Sequence, residues 1–294
     1  MKLFKKVAAL LLCLAFVCSF ADVYAQPLYN ASISLNSDIK KSDVTYLSLG
    51  EAFNASLSLK TDKNYYAGPF AAQVFYTNSI MKYTSADFNK SGKLYKISKS
   101  CCDATDSLSM TANNRNKFYP VDWSTTQRAK YDFCNITMVP NTADASVSVN
   151  NLNETVVTLH FKAGNAVGTG TVFVSASSIK TTTNTTGGTY LSCLIDSGNI
   201  LSSRYDYGTD AALDLANASL SFTVTDSGDV DGNKKLNSSD SLLMLQYVTL
   251  TANLTGDALK KGDVNSDGVV NATDALSVLQ LSTGLIHLNS IIKR

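Results

Sequence analysis

Two stretches near the C-terminus share one form, and they constrain the fold more than any other feature of the 294-residue chain. The first reads GDVDGNKKLNSSDSLLMLQ from Gly228, and the second reads GDVNSDGVVNATDALSVLQ from Gly262, 34 residues later. Residues 228–254 and 262–288 share ten identities. Each copy crowds Asp and Asn side chains into a short stretch and then changes to an apolar helical period. The sequence therefore predicts a duplicated loop–helix unit.

The spacing of the oxygen-bearing side chains suits a hard cation such as calcium. A twelve-residue loop wraps such an ion with positions 1, 3, 5, 7, 9 and 12. The first loop offers Asp229, Asp231, Asn233, the backbone carbonyl of Lys235, Asn237 and Asp240. The second offers Asp263, Asn265, Asp267, the backbone carbonyl of Val269, Asn271 and Asp274. Two calcium ions, one in each loop, are predicted.

The two loops differ at the position where the turn is sharpest. Gly268 occupies position 6 of the second loop, where glycine is favoured, whereas the first loop has Lys234 there and Gly232 at position 4. We therefore expect the first loop to be the weaker or more strained site.

Each loop leads into a helix whose apolar residues recur at helical spacing. They are Leu242, Leu243, Leu245 and Val248 in the first copy and Leu276, Val278, Leu279 and Leu281 in the second. This spacing predicts a buried stripe on each helix. Asp240 and Asp274 lie near the helix N-termini, where a carboxylate also interacts favourably with the dipole.

Residues 226–290 resemble a dockerin, the calcium-dependent plug module of cellulosome-type complexes. Both copies carry the pattern D-x-[DN]-x-[DN]-x-x-x-N-x-x-D before a leucine-rich helix. The entering helix of an EF-hand is missing before the first loop, and position 12 is Asp instead of Glu. The resemblance implies a small all-α calcium-binding module whose partner is a cohesin domain of a scaffoldin.

The resemblance also implies which residues contact that partner. Carried over to this chain, they are Ser238, Ser239, Gln246 and Tyr247 in the first copy and Ala272, Thr273, Gln280 and Leu281 in the second. Two alternatives stay open, namely that the Ser and Thr residues only cap the helices and that Leu281 belongs to the core.

The first 25 residues have the form of an export signal. Lys2, Lys5 and Lys6 precede an apolar run from Val7 to Phe20, and Val23–Ala25 offers a small-residue cleavage site. Cleavage leaves 22 basic and 23 acidic residues, because three lysines and Asp22 are removed from the 25 and 24 of the full chain. This balance gives no reason to expect a nucleic-acid partner. No later run is long enough to span a membrane. We expect a secreted protein of an extracellular or cell-surface complex.

Four cysteines remain after such cleavage. They are Cys101, Cys102, Cys134 and Cys193. In an exported chain they are expected to form up to two disulfides, and three pairings stay open.

Residues 29–225 alternate apolar and polar residues in short segments. One face carries Ala55, Leu57 and Leu59 in the first clear example, Val157, Leu159 and Phe161 in the second, and Leu220, Phe222 and Val224 in the third. Further candidate strands are residues 31–35, 70–76 and 171–176. Many short strands predict a mainly β domain, a sandwich or jelly roll. Residues 100–150 lose this period and are expected to form a long excursion, a candidate for a disulfide.

Several of these stretches resemble a cohesin, the socket that receives a dockerin. They are GEAFNASLSL from Gly50, YAGPFAAQVFYTNSIM from Tyr66, ETVVTLHFKAG from Glu154 with the following GTGTVFV, and ASLSFTV from Ala218. The resemblance implies that the domain accepts another dockerin, such as one borne by an enzyme. A carbohydrate-binding sandwich is the alternative, and its candidate aromatic residues are Tyr65, Tyr66, Phe118, Tyr119 and Trp123.

Catalysis is not predicted. Glycoside hydrolysis uses a pair of carboxylates, and the only two Glu residues, Glu51 and Glu154, are expected in solvated loops. His160 alternates with apolar strand residues and His287 falls in the C-terminal module, so neither is expected to activate a nucleophile. The expected function is a non-catalytic adaptor that contacts polysaccharide only indirectly. The alternatives are a carbohydrate-binding subunit and, less favoured, a glycoside hydrolase carried by its dockerin.

Overall fold

The structure is a computed structural model that describes ten ranges of the chain. They are residues 31–39, 45–61, 65–98, 102–120, 122–138, 148–149, 152–175, 190–195, 201–206 and 213–292. The predicted export signal, Cys101 and the side chains of Cys193, Tyr65 and Tyr66 lie outside the description.

Fourteen strands within the described ranges form two sheets. They are β1 (Ala31–Ser37), β2 (Thr45–Ser48), β3 (Ala52–Thr61), β4 (Tyr65–Thr77), β5 (Met81–Phe88), β6 (Cys102–Asp106), β7 (Tyr131–Met138), β8 (Ser148–Val149), β9 (Asn153–Ala163), β10 (Gly168–Val174), β11 (Tyr190–Ile195), β12 (Leu201–Asp206), β13 (Leu213–Asp214) and β14 (Ser219–Thr225). The five-stranded sheet has the order β13-β1-β3-β9-β5. The nine-stranded sheet follows β12-β11-β4-β10-β14-β2, with β7 and β8 also paired to β4 and β6 paired to β7.

The inner faces of the two sheets form one hydrophobic core. Strand β3 alternates strictly, and its buried residues are the predicted Ala55, Leu57 and Leu59 together with Phe53. Phe53 of the five-stranded sheet contacts Phe222 of the other sheet, with ring centroids 4.3 Å apart. The predicted faces of β9 and β14 are buried in the same core. The prediction of a β-sandwich is confirmed, since an alternating strand buries one of its two faces.

The prediction that residues 100–150 leave the sandwich is wrong in part, because β6 and β7 belong to the nine-stranded sheet; the segment between them packs over the outer face of that sheet. The short helix α1 (Lys93–Ser98) precedes β6, and the segment between β6 and β7 contains α2 (Ala112–Lys117), α3 (Thr125–Lys130) and a 3₁₀ turn at Ser107–Ser109. Tyr119 and Trp123 lie against Phe75, with centroids 6.0 Å and 4.6 Å away. Arg115 pairs with the buried Asp132 of β7. An aromatic cluster therefore holds this segment to the sheet.

Disulfides were expected for this part of the chain, and Cys134 contradicts that expectation. Cys134 is a buried free thiol on β7. Burial raises its pKa to about 12, even though a hydrogen bond with Tyr83 lowers it. Two disulfides among the four remaining cysteines are therefore not formed, and the pairing of Cys101 and Cys193 lies outside the described side chains.

The C-terminal module follows β14 directly and is helical. Its helices are α4 (Ser238–Val248), α5 (Gly256–Gly262) and α6 (Ala272–Ser282), with a 3₁₀ turn at Leu288–Ser290. Its own core includes Met244, Val264, Val278 and Leu288. No helix among the described residues is long and apolar enough to cross a membrane.

Candidate metal centre

The two acidic loops have the same internal hydrogen bonds. In the first loop, Asp240 at position 12 accepts from the backbone N–H of Asp231 at 3.3 Å and of Asn237 at 3.0 Å. In the second loop, Asp274 accepts from Asn265 at 3.3 Å and from Asn271 at 3.0 Å. The last residue of each loop thus folds the chain back over its first half.

Position 1 closes each loop in a similar way. Asp229 Oδ2 accepts from the N–H of Lys234 at 3.1 Å, and Asp263 Oδ2 accepts from the N–H of Gly268 at 2.9 Å. Both donors are at position 6. The other oxygens of position 1 differ, because Asp229 Oδ1 has no hydrogen-bond partner whereas Asp263 Oδ1 accepts from the N–H of Asp267 at 2.9 Å.

The first loop gathers three carboxylates. One oxygen each of Asp229, Asp231 and Asp240 lie within 4.8 Å of one another. Asp229 and Asp240 are almost fully buried, and Asp229 Oδ1 has no hydrogen-bond partner. Burial raises the pKa of both carboxyl groups. A buried carboxylate oxygen without a partner is costly unless a cation compensates it, so this donor set fits a hard metal ion.

The second loop repeats the backbone fold with the same number of carboxylates, but its middle one is Asp267 at position 5 instead of an Asp at position 3. Asn265 stands where the first loop has Asp231 and accepts from the N–H of Asp267 at 2.9 Å. Asn271 directs its amide toward the carbonyl of Val269, as Asn237 does toward Lys235. All twelve predicted ligand positions therefore lie in two loops of matching conformation.

Backbone strain is shared between the loops, which corrects the expectation that the first is more strained. Both loops turn with positive φ at positions 4 and 6. Gly232 and Lys234 have φ of 74° and 62°, and Ser266 and Gly268 have φ of 61° and 91°. Each loop therefore has one glycine and one non-glycine residue in the left-handed region.

The helix caps come from asparagine. Asn237 Oδ1 accepts from the N–H of Ser239, and Asn271 Oδ1 accepts from the N–H of Thr273, both at 2.7 Å. Asp240 and Asp274 complete a capping box in each copy. The alternative that Ser and Thr cap these helices is therefore wrong. Ser238, Ser239, Ala272 and Thr273 are exposed on the first turns.

The buried stripe of the two helices differs from the predicted one. Met244, Ala275, Val278 and Leu281 are buried, and Ser241 Oγ donates to the carbonyl of Ala275 at 2.7 Å where the helices meet. The residues predicted as core but found exposed are Leu242, Leu245, Val248, Leu276 and Leu279.

The predicted partner contacts are therefore not all on the surface. Gln246 is exposed and Gln280 is partly exposed. Tyr247 is half-buried against the module core. Leu281 is buried, so its side chain belongs to the core and not to the exposed surface.

A residue for which the sequence predicted no structural role joins the module to the sandwich. Glu51, expected in a solvated loop, is only 7% exposed. Its carboxylate accepts from Ser48 N at 2.7 Å and Leu288 N at 3.3 Å, and lies 2.9 Å from His287 Nδ1. Burial raises the pKa of Glu51, although these hydrogen bonds act against the shift.

Asn289 continues this junction along the edge strand β2. Its side chain accepts from Tyr46 N at 3.3 Å and donates to the Ile39 carbonyl at 3.1 Å. Tyr46 packs against the core of the C-terminal module. We call the contacts of residues 287–289 with Glu51, Tyr46 and Ile39 the clasp.

The other residues considered for catalysis have structural partners. Glu154 accepts from the N–H groups of Lys93 at 2.8 Å and Leu94 at 2.9 Å, at the start of α1. His160 lies 2.7 Å from Asn54 Oδ1 and 2.9 Å from Asp87 Oδ2. The carboxylates of Glu51 and Glu154 therefore accept hydrogen bonds from backbone groups of different segments.

Comparison with known proteins agrees with the C-terminal geometry. Residues 227–280 match the family model of the dockerin type I domain. No match was found among curated proteins.

Solved cohesins are similar to this chain at low identity. The seventh ScaB type I cohesin from Pseudobacteroides cellulosolvens is 10% identical with a TM-score of 0.39, covering 67% of this chain and 92% of that one. CaCohA2 from Clostridium acetobutylicum is 14% identical with a TM-score of 0.35 and coverages of 67% and 92%. A chain of the Coh-OlpA-Doc918 complex from Clostridium thermocellum is 8% identical with a TM-score of 0.37 and coverages of 67% and 99%. At such scores the likeness supports no statement about function.

Proposed function

We propose that this protein is a secreted, non-catalytic adaptor of a cellulosome-like complex. Its C-terminal module, residues 226–290, acts as a plug for the cohesin domain of a scaffoldin, and its β-sandwich, residues 29–225, acts as a cohesin-like socket. The observation that carries the proposal is the duplicated loop–helix unit, which matches a dockerin type I domain. The resemblance of the sandwich strands to cohesin sequences supports the socket.

Calcium is the proposed cofactor, with one ion in each loop. The twelve predicted positions would supply the ligands, and the unpartnered Oδ1 of Asp229 supports this assignment in the first loop. The ion contributes positive charge among carboxylates that otherwise repel one another. The protein residues position the loops relative to the helices. Asp240 and Asp274 connect each loop to its helix, and the capping boxes define where α4 and α6 begin.

The proposed docking surface lies on the exposed sides of α4 and α6. Ser238, Ser239 and Gln246 are exposed in the first copy, and Ala272 and Thr273 in the second. Leu242 and Leu245 flank the first set, as Leu276 and Leu279 flank the second. Since the two surfaces are related by the repeat, either copy is proposed to face a cohesin after a half-turn.

The copies are not identical, which makes dual use testable. Ser238 corresponds to Ala272 and Tyr247 to Leu281. If both copies serve, mutating Ser239 and Gln246 to Ala leaves binding through the second copy. Complete loss of cohesin binding in this variant would show that only the first copy is used.

A pull-down with the full chain tests the plug and the socket separately. A panel of cohesins in calcium should be captured through the C-terminal module, and EDTA should abolish this capture. A panel of dockerin-bearing proteins should be captured through the sandwich, with Asp229→Ala/Asp263→Ala in the chain itself leaving that capture intact. Insoluble polysaccharide is the third arm.

The outcomes separate the candidate functions. Capture of cohesins and dockerins makes the chain an adaptor. Capture of cohesin and polysaccharide, with no dockerin, makes it a carbohydrate-binding subunit delivered by its plug. Cohesin binding that persists unchanged in EDTA contradicts the proposed calcium-dependent plug.

A further inference from the structure

A lysine-lined groove lies between the sandwich and the C-terminal module. It has a volume of about 950 Å³. Lys82 and Lys162 line it from the sandwich, and Lys234 and Lys235 line it from the first acidic loop. Among the described residues that line the groove, none is Asp or Glu. Four cationic side chains around one cavity are the feature of this groove that favours a negatively charged ligand.

These lysines are available to a ligand. Within the described ranges, no ion pair involves any of the four. The aliphatic stem of Lys162 lies over Gly50. A Cβ atom added at that glycine would be 3.7 Å from Lys162 Cε. Lysine commonly packs its stem in this way and leaves its charged end in solvent.

The rest of the lining is suited to hydroxyl groups. Its polar residues outside the first acidic loop are Asn78, Ser79, Thr84, Asn165 and Ser282. Tyr83 also lines the groove, but its ring packs edge-on against Phe161 in the sandwich core and its side chain bonds with the buried Cys134, so the ring is committed to the core. Amide and hydroxyl groups form hydrogen bonds with the hydroxyl groups of sugars, and the lysines add recognition of carboxylates.

We propose that this groove binds an acidic polysaccharide, a chain that contains uronic acid residues. The inference goes beyond the adaptor role, since it assigns the junction a ligand of its own. The clasp keeps the two walls together, because Glu51 is adjacent to the lining residue Gly50. Calcium in the first loop would offset the carboxylates beside Lys234 and Lys235, so the groove should attract anions most strongly in the calcium-loaded protein.

The test is a calorimetric titration. An oligogalacturonate is added to the full chain in calcium at low ionic strength, and the heat of binding is measured. We expect binding that weakens as salt is added. Lys82→Gln/Lys162→Gln and Lys234→Gln/Lys235→Gln should each weaken it at least fivefold. The matched control is Lys60→Gln/Lys90→Gln, which removes the same charge from exposed lysines outside the groove and should change binding less than twofold.

Three results would overturn the proposal. They are the absence of oligogalacturonate binding at low salt, an equal loss in the control variant, and binding of poly-glutamate or of neutral cellohexaose as tight as that of oligogalacturonate. Cohesin capture is measured on Lys82→Gln/Lys162→Gln, which lies outside both calcium loops, and should not change, so failure of this proposal leaves the adaptor role standing.

Discussion

At the scale of single residues, each acidic loop contains one residue in an unfavourable backbone conformation. Lys234 has φ of 62° where the second loop has Gly268, and Ser266 has φ of 61° where the first has Gly232. Each strained residue is therefore matched by a glycine at the same position of the other copy, which shows that glycine is compatible with that position.

Replacing either strained residue by glycine should stabilise the module. The left-handed conformation costs a non-glycine residue roughly 1–2 kcal/mol, offset by the greater entropy of glycine in the unfolded chain. We expect Lys234→Gly and Ser266→Gly each to raise the free energy of unfolding by up to about 1 kcal/mol, measured by denaturant unfolding in calcium. Gly232→Ala and Gly268→Ala are the controls and should lower it; a rise in either would refute the strain argument.

Asp229 is the residue whose removal should reveal the number of ions. Asp229→Ala deletes the buried carboxylate with the unpartnered oxygen and should reduce the stoichiometry from two calcium ions to one in calorimetry. Asp263→Ala is the matched change in the second loop and should also leave one ion. A stoichiometry of two in either variant would contradict the ligand assignment.

At the scale of elements, the ends of α4 and α6 show the same geometry with different residues. The N–H of Thr251 donates to the Gln246 carbonyl at 2.8 Å, and the N–H of Leu285 donates to the Gln280 carbonyl at 2.9 Å. The residue between helix and turn is Leu250, with φ of 60°, in one copy and Gly284, with φ of 72°, in the other. Leucine is a poor choice for this C′ position.

Leu250→Gly should therefore stabilise α4. The leucine side chain is 91% exposed, so its removal costs little packing. We expect a gain of up to about 1 kcal/mol in thermal or denaturant unfolding. Gly284→Ala, the reverse test in the other copy, should be destabilising. If Leu250→Gly instead destabilises the module, the leucine makes a contact that outweighs the strain.

The elements also show where sequence reasoning succeeded and failed. Alternation identified the buried faces of β3, β9 and β14, because a strand can turn only every second residue inward. Helical spacing failed for α4 and α6. Adjacent leucines such as Leu242 and Leu243 lie on different faces of a helix, and spacing alone does not tell which face is buried. The packing of the excursion could not be predicted, because it depends on the contact between Phe75 and Trp123, which are far apart in sequence. The same is true of Glu51 and His287, which are 236 residues apart.

At the scale of the whole molecule, two optical signals distinguish the two parts. Trp123 is the only tryptophan and lies in the aromatic cluster on the sandwich. Most of the helical residues in the described ranges are in the C-terminal module. EDTA should therefore reduce the helical circular dichroism signal and leave the Trp123 fluorescence unchanged. Unchanged helicity in EDTA would contradict calcium-dependent folding.

The clasp should make the two parts mechanically and thermodynamically dependent on each other. Glu51→Gln replaces one acceptor oxygen by an NH₂ donor that faces Leu288 N–H and His287. An unsatisfied buried donor costs roughly 1–3 kcal/mol. We expect faster proteolysis between residues 225 and 229 and separate unfolding transitions, whereas the control Glu154→Gln should spare the junction.

The junction should also respond to pH. The pKa of Glu51 is raised above the ordinary 4.5 by burial, so the folded protein holds this proton more tightly than the unfolded chain. Stability from this group is therefore fully present at low pH and is lost as pH rises through the raised value. We expect the free energy of unfolding to fall over that window above pH 4.5, and to fall less in Glu51→Gln. Equal pH dependence in both proteins would exclude Glu51 as the responsible group.

A fixed junction has a further consequence for any assembly built from this chain. With the clasp formed, the C-terminal module and the sandwich are held in one relative orientation. Cargo held by the sandwich would then take up one orientation relative to the scaffold, and successive copies would repeat it at a regular pitch. Loss of the clasp contacts would let the two parts rotate relative to each other, while the module stayed bound to its cohesin and the sandwich to its cargo.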